Sequence, residues 1–438
     1  MATAFPIATT AHPTTHGATE RAGAAARRAR NAAGWRRRAQ VAPFTRPRWQ
    51  THGMTSATEE ARAQFMAGLQ AQGAGRLLDA EAAYRASLAW VPGRASTLNN
   101  LGVVLTALQR DDEALPLLQQ SLAVEPDDTT TWVVLGQCQA RLGQLPEALV
   151  SAEQALQLSA EAAPETASNT DAGTAASTAA AWALRGGVLK DLGRHIEAAA
   201  ALRSAIAHGA DPALQGYLLA SIEGHAAPPQ PPPGYVQALF DGYAADFDQH
   251  LVGRLGYQAP QILVGHLAAQ LQANGRRLGT VLDLGCGTGL CGPLLRPWAQ
   301  HLVGVDLSSG MLQRAQERGC YDEVLLADAA QHLQLRAGPV DAIVAADVFI
   351  YIGDLQAVFA GVRRVLSPGG WLALSAEEAP DAVDFELRPS SRYAQSERYL
   401  RALAAANGLL LQHQQRGPLR QDQGSDVMGL YQWWLAPL

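Results

Sequence analysis

The chain has 438 residues, 48% hydrophobic and 17% charged, which is material for about two or three packed domains. No run of about 18 apolar residues marks a membrane-spanning helix. Its four cysteines (Cys138, Cys286, Cys291, Cys320) form no CxxC pair and are too few for a disulfide framework, so a reducing, cytoplasmic setting without a bound metal is expected. The net charge of −6 divides unevenly: residues 1–53 hold nine arginines and one acid, +8, which leaves −14 for the rest (−6 less +8). An acidic body of this kind argues against nucleic acid as a partner.

Residues 1–53 show no apolar period. They read as a disordered Arg-rich tail, a targeting-type segment, or translated sequence upstream of a start at Met54. From about residue 57 the sequence repeats itself. Gly68, Gly102 and Gly136 recur every 34 residues, and Ala80, Ala114 and Ala148 each follow twelve residues later. Pro92 and Pro126 close the first two units, Trp132-Val-Val-Leu-Gly136 opens the third, and Trp182, Gly186 and Ala198 mark a fourth. Gly186 comes 50 residues after Gly136, so an insertion of 16 residues is expected as a loop near 161–178. This period predicts four helical hairpins stacked into a solenoid over 57–225. Small residues such as Gly68 and Ala80 allow close helix approach, and Leu101, Leu105 and Leu118 need a neighbouring hairpin to cover them. The pattern resembles tetratricopeptide repeats, which implies a protein or peptide partner in a concave groove. Thr130, Val133, Gln137 and Arg141 would line part of that groove.

Residues 226–234, Ala-Ala-Pro-Pro-Gln-Pro-Pro-Pro-Gly, cannot continue a helix and read as a semi-rigid linker. Beyond it, over 235–438, short apolar runs alternate with helical patterns, the signature of a doubly wound, Rossmann-like α/β domain. Seven strands are expected: Gly279–Leu284, His301–Asp306, Glu323–Ala327, Asp341–Ala346, Gly370–Ala376, Leu409–Gln415 and Val427–Leu435. Helices are expected over Met311–Arg318 and Leu355–Leu366. Trp433 and Trp434 should pack toward opposite faces of the last strand.

Ligands of such sheets sit at the carboxyl ends of the strands. The turn after the first strand reads Asp283-Leu-Gly285-Cys-Gly287-Thr-Gly289, a loop whose glycines let backbone approach a ligand. It lacks the Lys-Ser/Thr ending of a phosphate loop, and Leu290 stands where a dinucleotide motif requires glycine. Asp283 would repel a pyrophosphate and suits an ammonium group. Asp306, ending the second strand, suits a vicinal diol, and Asp328, after the third, suits an exocyclic amine beside apolar Leu307. Three such positions fit a nucleoside joined to an amino acid. Cys286 and Cys291 flank the loop and read as small apolar packing.

The runs Asp283–Gly289, Val305–Ser308, Ala327–Ala329, Asp341–Ile350 and Ser367–Gly370 resemble, in order and spacing, the motifs of class I S-adenosylmethionine-dependent methyltransferases. With the repeats, the chain resembles a bacterial family of such enzymes carrying tetratricopeptide repeats. The resemblance implies that S-adenosyl-L-methionine is held by Asp283, Gly285, Cys286, Gly287, Gly289, Asp306, Leu307, Met311, Asp328, Ala329 and Asp347. Asp347 would also face the substrate. The Asn-Pro-Pro-Tyr signature of nucleic-acid amino methylases is replaced by Ala346-Asp347-Val348-Phe349. The segment Phe240–Leu251 resembles the helix preceding the domain in small-molecule methyltransferases.

The implied reaction is an in-line displacement at the sulfonium methyl, in which protein groups chiefly orient the reactants. Asp347, His250 and Tyr243 are the candidate bases, and the sequence does not choose among them. Tyr243, Phe247 and Tyr351 are candidate aromatic contacts to the sulfonium or the substrate. Arg388, Arg392 and Tyr393 lie where a substrate lid is expected. The acceptor is left open between a small molecule and a protein. A repeat scaffold with a decayed cofactor domain is the alternative, and a nicotinamide oxidoreductase is weakened by Leu290 and Asp283.

Overall fold

The computed structural model describes residues 53–162, 172–224, 227–241, 248, 256–422 and 425–438. The Arg-rich segment up to residue 52 lies outside the described residues. Helices α1 (Gly53–Gly73) and α2 (Leu77–Trp90), α3 (Ala95–Ala107) and α4 (Asp111–Val124), α5 (Thr129–Arg141) and α6 (Leu145–Ala162), and α7 (Ala172–Asp191) and α8 (His195–Ala207) form successive hairpins, followed by α9 (Pro212–Glu223). Each periodic glycine marks a close crossing. A Cβ on Gly102 would lie 2.6 Å from Leu118, and one on Gly186 would lie 2.6 Å from Leu202. Leu101, Leu105 and Leu118 are fully buried in the shared core, as hairpin stacking requires.

The insertion differs from its expected form. Residues 161–162 and 172–178 are helical, so two long helices, of 18 and 20 residues, take up much of it instead of a loop over 161–178. Residues 163–171 lie outside the described residues.

The C-terminal half holds α10 (Tyr235–Asp241), α11 (Ala259–Ala273), β1 (Leu278–Leu284), α12 (Gly292–Leu295), β2 (Ala299–Asp306), α13 (Ser309–Glu317), β3 (Glu323–Leu326), α14 (Ala329–Leu335), β4 (Val340–Ala345), α15 (Gln356–Val365), β5 (Leu366–Ala379), β6 (Phe385–Leu387), β7 (Tyr393–Ser396), α16 (Glu397–Ala406), β8 (Leu410–Asp422) and β9 (Ser425–Leu435). Strands run in the order β3-β2-β1-β4-β5, parallel throughout. On the other edge of β5, β9 pairs antiparallel, and β8 pairs antiparallel with β9. The order reverses between β1 and β4, which sets the switch point there.

Among the described residues, nine strands stand where seven were expected. The additional β6 and β7 are short and pair with each other, and β7 pairs with the far end of β5 at Glu378 and Ala379. Three and four residues of mixed polarity carry too little period to be read from sequence.

Helices cover both faces of the sheet. Leu282, Ile343, Leu372 and Trp434 face one core with α15 and α16; Val281, Val344, Ala373 and Trp433 face the other with α11. Trp433 and Trp434 thus point to opposite faces, and the Trp433 indole donates to the Leu263 carbonyl at 3.0 Å.

The two halves are joined by built contacts. Tyr217 of α9 is buried and donates to the Ser391 carbonyl at 2.8 Å, with its ring 6.2 Å from that of Tyr393. Tyr393 donates to the Pro228 carbonyl at 2.9 Å, and the Pro229 carbonyl accepts from the backbone of Gly353 and Asp354. The Pro-rich run is therefore fastened to the α/β domain along residues 228–229 and is not a free spacer.

Candidate functional site

A cavity of about 1320 Å³ opens at the carboxyl ends of β1, β2, β3 and β4. It continues along the Pro-rich run and α10 to the concave side of the repeats, reaching Thr130, Val133, Gln137 and Arg141.

The loop after β1 shapes its floor. Gly285 has φ of +64°, and a Cβ there would lie 2.5 Å from Val348, so the turn after β4 can close against it. Gly287 faces open space, and its N–H donates to Asp306 Oδ2 at 2.8 Å. Cys286 and Cys291 are buried, and burial pushes both thiols well up, which makes them inert packing groups. Gly289 does not line the cavity; it packs against Ala315 and Tyr321 and sets the turn from behind.

Asp283 is 1% exposed, and its Oδ2 accepts from the Tyr321 hydroxyl at 2.6 Å. Burial pushes its carboxyl up to about 7, against the pull of the Tyr321 hydrogen bond and helped by the Asp306 charge. The native state thus holds a proton that the unfolded chain releases near pH 4, and the stability this confers is lost as pH rises toward 7. A cationic ligand group beside Asp283 favours the ionised form. Affinity for such a ligand is therefore expected to rise about tenfold between pH 6 and pH 8, read by titration at the two pH values.

Asp306 accepts from Gly287 N and, through Oδ1, from Ser308 N at 2.9 Å, and burial raises its carboxyl. With Leu307 as a third backbone donor, the carboxylate's acceptor sites are not all filled, which leaves capacity for a ligand diol. Leu307, Met311 and Ala329 line the same wall. Asp328 lines it while also capping α14, accepting from Gln331 N at 2.9 Å.

Three non-local contacts tie Asp241 and Asp248 to the segments after β1 and β2. Asp241, ending α10, accepts from the Ser308 hydroxyl at 2.6 Å, and Asp248 accepts from Thr288 and pairs with Arg318. Phe240 stands edge-on to Tyr351 with centroids 5.0 Å apart, and both line the cavity. Tyr243, Phe247 and His250 lie outside the described residues.

At the end of β4, Asp347 has φ of +56°. Its N–H donates to Ser375 Oγ at 2.8 Å, and the same hydroxyl returns a hydrogen bond to Oδ1 at 2.7 Å, which holds a conformation few side chains adopt. Arg420 of β8 stands 3.4 Å from Asp347 Oδ2 and also pairs with Glu377 of β5. Burial raises the Asp347 carboxyl while Arg420 pulls it down. Arg420 and Glu377, both with side chains 2% exposed, were not expected from sequence. The available signal was weak: one arginine beside Leu419 in an edge strand whose other residues are mostly exposed.

The substrate-lid residues separate. Arg392 lines the cavity, as does Tyr351, the expected aromatic contact. Arg388 does not; it pairs with Glu377 and Glu386, both at 3.1 Å. Tyr393 does not either, because α9 and the Pro-rich run bury it completely.

A family model described as a methyltransferase domain matches residues 282–374, from β1 into β5, and a tetratricopeptide-repeat model matches residues 93–161. The chain carries a methyltransferase domain and tetratricopeptide repeats. The chain is 34% identical over 100 residues to 18S rRNA (guanine-N(7))-methyltransferase RID2 of Arabidopsis thaliana, covering 20% of this chain and 35% of that one. It is 34% identical over 139 residues to methyltransferase-like protein 27 of Homo sapiens, covering 31% and 56%. It is also 34% identical over 164 residues to malonyl-[acyl-carrier protein] O-methyltransferase of Geobacter sulfurreducens, covering 36% and 58%. The chain thus spans a third to just over half the length of these curated relatives. Among solved structures it is similar to 1,6-didemethyltoxoflavin-N1-methyltransferase of Burkholderia thailandensis, 20% identical, covering 49% of this chain and 93% of that one, with a TM-score of 0.38. Among the described residues, no helix is long and apolar enough to cross a membrane.

Proposed function

We propose that the protein is a cytoplasmic S-adenosylmethionine-dependent methyltransferase whose repeats bind a protein or peptide. One observation carries the reading. Asp283, Asp306 and Asp328, from three successive strand ends, line one cavity around the open face of Gly287. The set fits the cofactor: buried Asp283 suits its ammonium group, Asp306 its ribose hydroxyls, and Asp328 with Leu307 its adenine. Leu290, in the same wall, leaves no dinucleotide motif.

When bound, S-adenosylmethionine supplies a sulfonium methyl that passes to an acceptor atom as the carbon–sulfur bond breaks and its electron pair stays on sulfur. The protein's own groups position and shield. Asp347, fixed by Ser375 and Arg420, is the described carboxylate placed to take a proton from the acceptor, and Phe240 with Tyr351 covers the site from water.

A scaffold with a decayed domain is less well supported, because the loop and its three acids stand together and Asp347 is held in a strained conformation by two hydrogen bonds. The test is transfer of tritium from methyl-labelled S-adenosylmethionine to material in a cell extract by the full chain. Incorporation above that of an Asp306→Ala control is expected. Tight cofactor binding without any incorporation would instead fit the scaffold.

A further inference from the structure

We propose that the rim of the sheet opposite the cavity docks the protein on an anionic lipid surface. Residues 259–277, 329–340, 355–376, 402–413 and 433–438 contain no aspartate or glutamate, in a body that is otherwise acidic. These segments meet at the end of the sheet where β1, β4 and β5 begin. Five arginines stand there: Arg276 and Arg277 before β1, Arg336 before β4, and Arg363 with Arg364 before β5. β1, β4 and β5 are neighbours in the sheet, so the five share one rim. Arg364 donates to the Arg336 carbonyl at 3.0 Å, and Arg276 donates to the Gly369 carbonyl, near the start of β5, at 2.8 Å. Among the described residues none of the five pairs with a carboxylate, and Arg277 reaches the Pro297 carbonyl at 2.9 Å. Asp341 lies beside them and is already engaged, accepting from Gly279 N at 2.6 Å.

Helix ends account for part of the set. α11, α14 and α15 all finish at this rim, and one cation at each C-terminus answers the helix dipole. Arg277 and Arg363 are in excess of that need, and both are exposed. Two leucines stand bare among the arginines. Leu335, next to Arg336, is 76% exposed, and Leu410, where β8 starts, is 54% exposed. Leu410 pairs in register with Leu435, which pairs with Trp371 of β5, so it belongs to the same rim. An anionic bilayer meets both features at once, taking the leucines into its acyl boundary while lipid phosphates pair with the guanidinium groups. A nucleic acid would meet the arginines and leave both leucines in water. The cavity opens at the other ends of the same strands, about 20 Å away, so docking leaves it open to water.

The experiment is sedimentation of the full chain with vesicles of phosphatidylcholine, with and without phosphatidylglycerol. The wild-type chain should sediment with the anionic vesicles, and less so as salt rises. Arg277→Ala combined with Arg363→Ala should weaken that partition about 25-fold, at about fivefold for each surface arginine. Leu335→Ser should weaken it about tenfold, because the leucine no longer enters the acyl boundary. Both variants should keep the wild-type thermal midpoint and cofactor affinity, since these side chains are exposed and stand at the far ends of the strands from the cavity. The arginines of residues 1–53 are the same in all three proteins and do not enter the comparison. Equal partition of the wild-type chain and the double variant would overturn the proposal. So would single-stranded RNA bound more tightly than the vesicles, and equally by Leu335→Ser and the wild-type chain, which would make the rim a general polyanion surface. A chain that partitions as expected but binds no S-adenosylmethionine would contradict the enzyme reading alone.

Discussion

Replacing Asp306 with alanine is expected to weaken S-adenosylmethionine binding by roughly 30- to 1000-fold, about 2–4 kcal/mol. Two terms add. The ligand loses charge-assisted hydrogen bonds from its diol, and the N–H groups of Gly287 and Ser308 lose the carboxylate that holds the loop in shape. Asp306→Asn should fall between alanine and wild type, because its carbonyl oxygen still accepts. Calorimetric titration of each variant reads the effect directly. Wild-type affinity in the alanine variant would mean that the ribose is held elsewhere.

Arg420→Met should lower unfolding stability by about 3–5 kcal/mol, measured by urea denaturation. Glu377 and Asp347 would keep buried charges without their main counterion. Arg388 still reaches Glu377 at 3.1 Å, which places the expected loss toward the lower end of that range. Adding Glu377→Gln to Arg420→Met should recover part of the stability, because one of the two carboxylates left without Arg420 is then neutral. A single variant as stable as wild type would show that the cluster contributes nothing, and a double variant no better than the single would place the cost in packing.

Much of the architecture was legible because it is written in local patterns. A 34-residue period announces stacked hairpins wherever it occurs, and the strand-ending acids follow their strands directly in sequence. The Gly285–Gly287 turn and Asp306 could be placed for the same reason, since each belongs to one strand and the loop after it. What escaped is non-local. Tyr321 reaches Asp283 across 38 positions, and Arg420 reaches Glu377 across 43, through a β8–β9 hairpin whose register no spacing reveals. Arg388 and Tyr393 stand away from the cavity for separate reasons: Glu377 and Glu386 hold Arg388, and Tyr393 meets the repeats and the Pro-rich run. Tyr217 of α9 and the Pro228 carbonyl turn Tyr393 into a packing residue. The insertion after Gly136 was expected as a loop because its composition is polar and rich in alanine, serine and threonine. Alanine is also the best helix former, and two helices lengthen into that stretch.

The most direct measurement is calorimetric titration of the full chain with S-adenosylmethionine at pH 8 and pH 6, with NAD as the control. One-to-one binding of S-adenosylmethionine, about tenfold tighter at the higher pH as Asp283 ionises, and no heat from NAD, is the result expected. Binding of NAD, or of neither ligand, would contradict the assignment of Asp283, Asp306 and Asp328 to this cofactor.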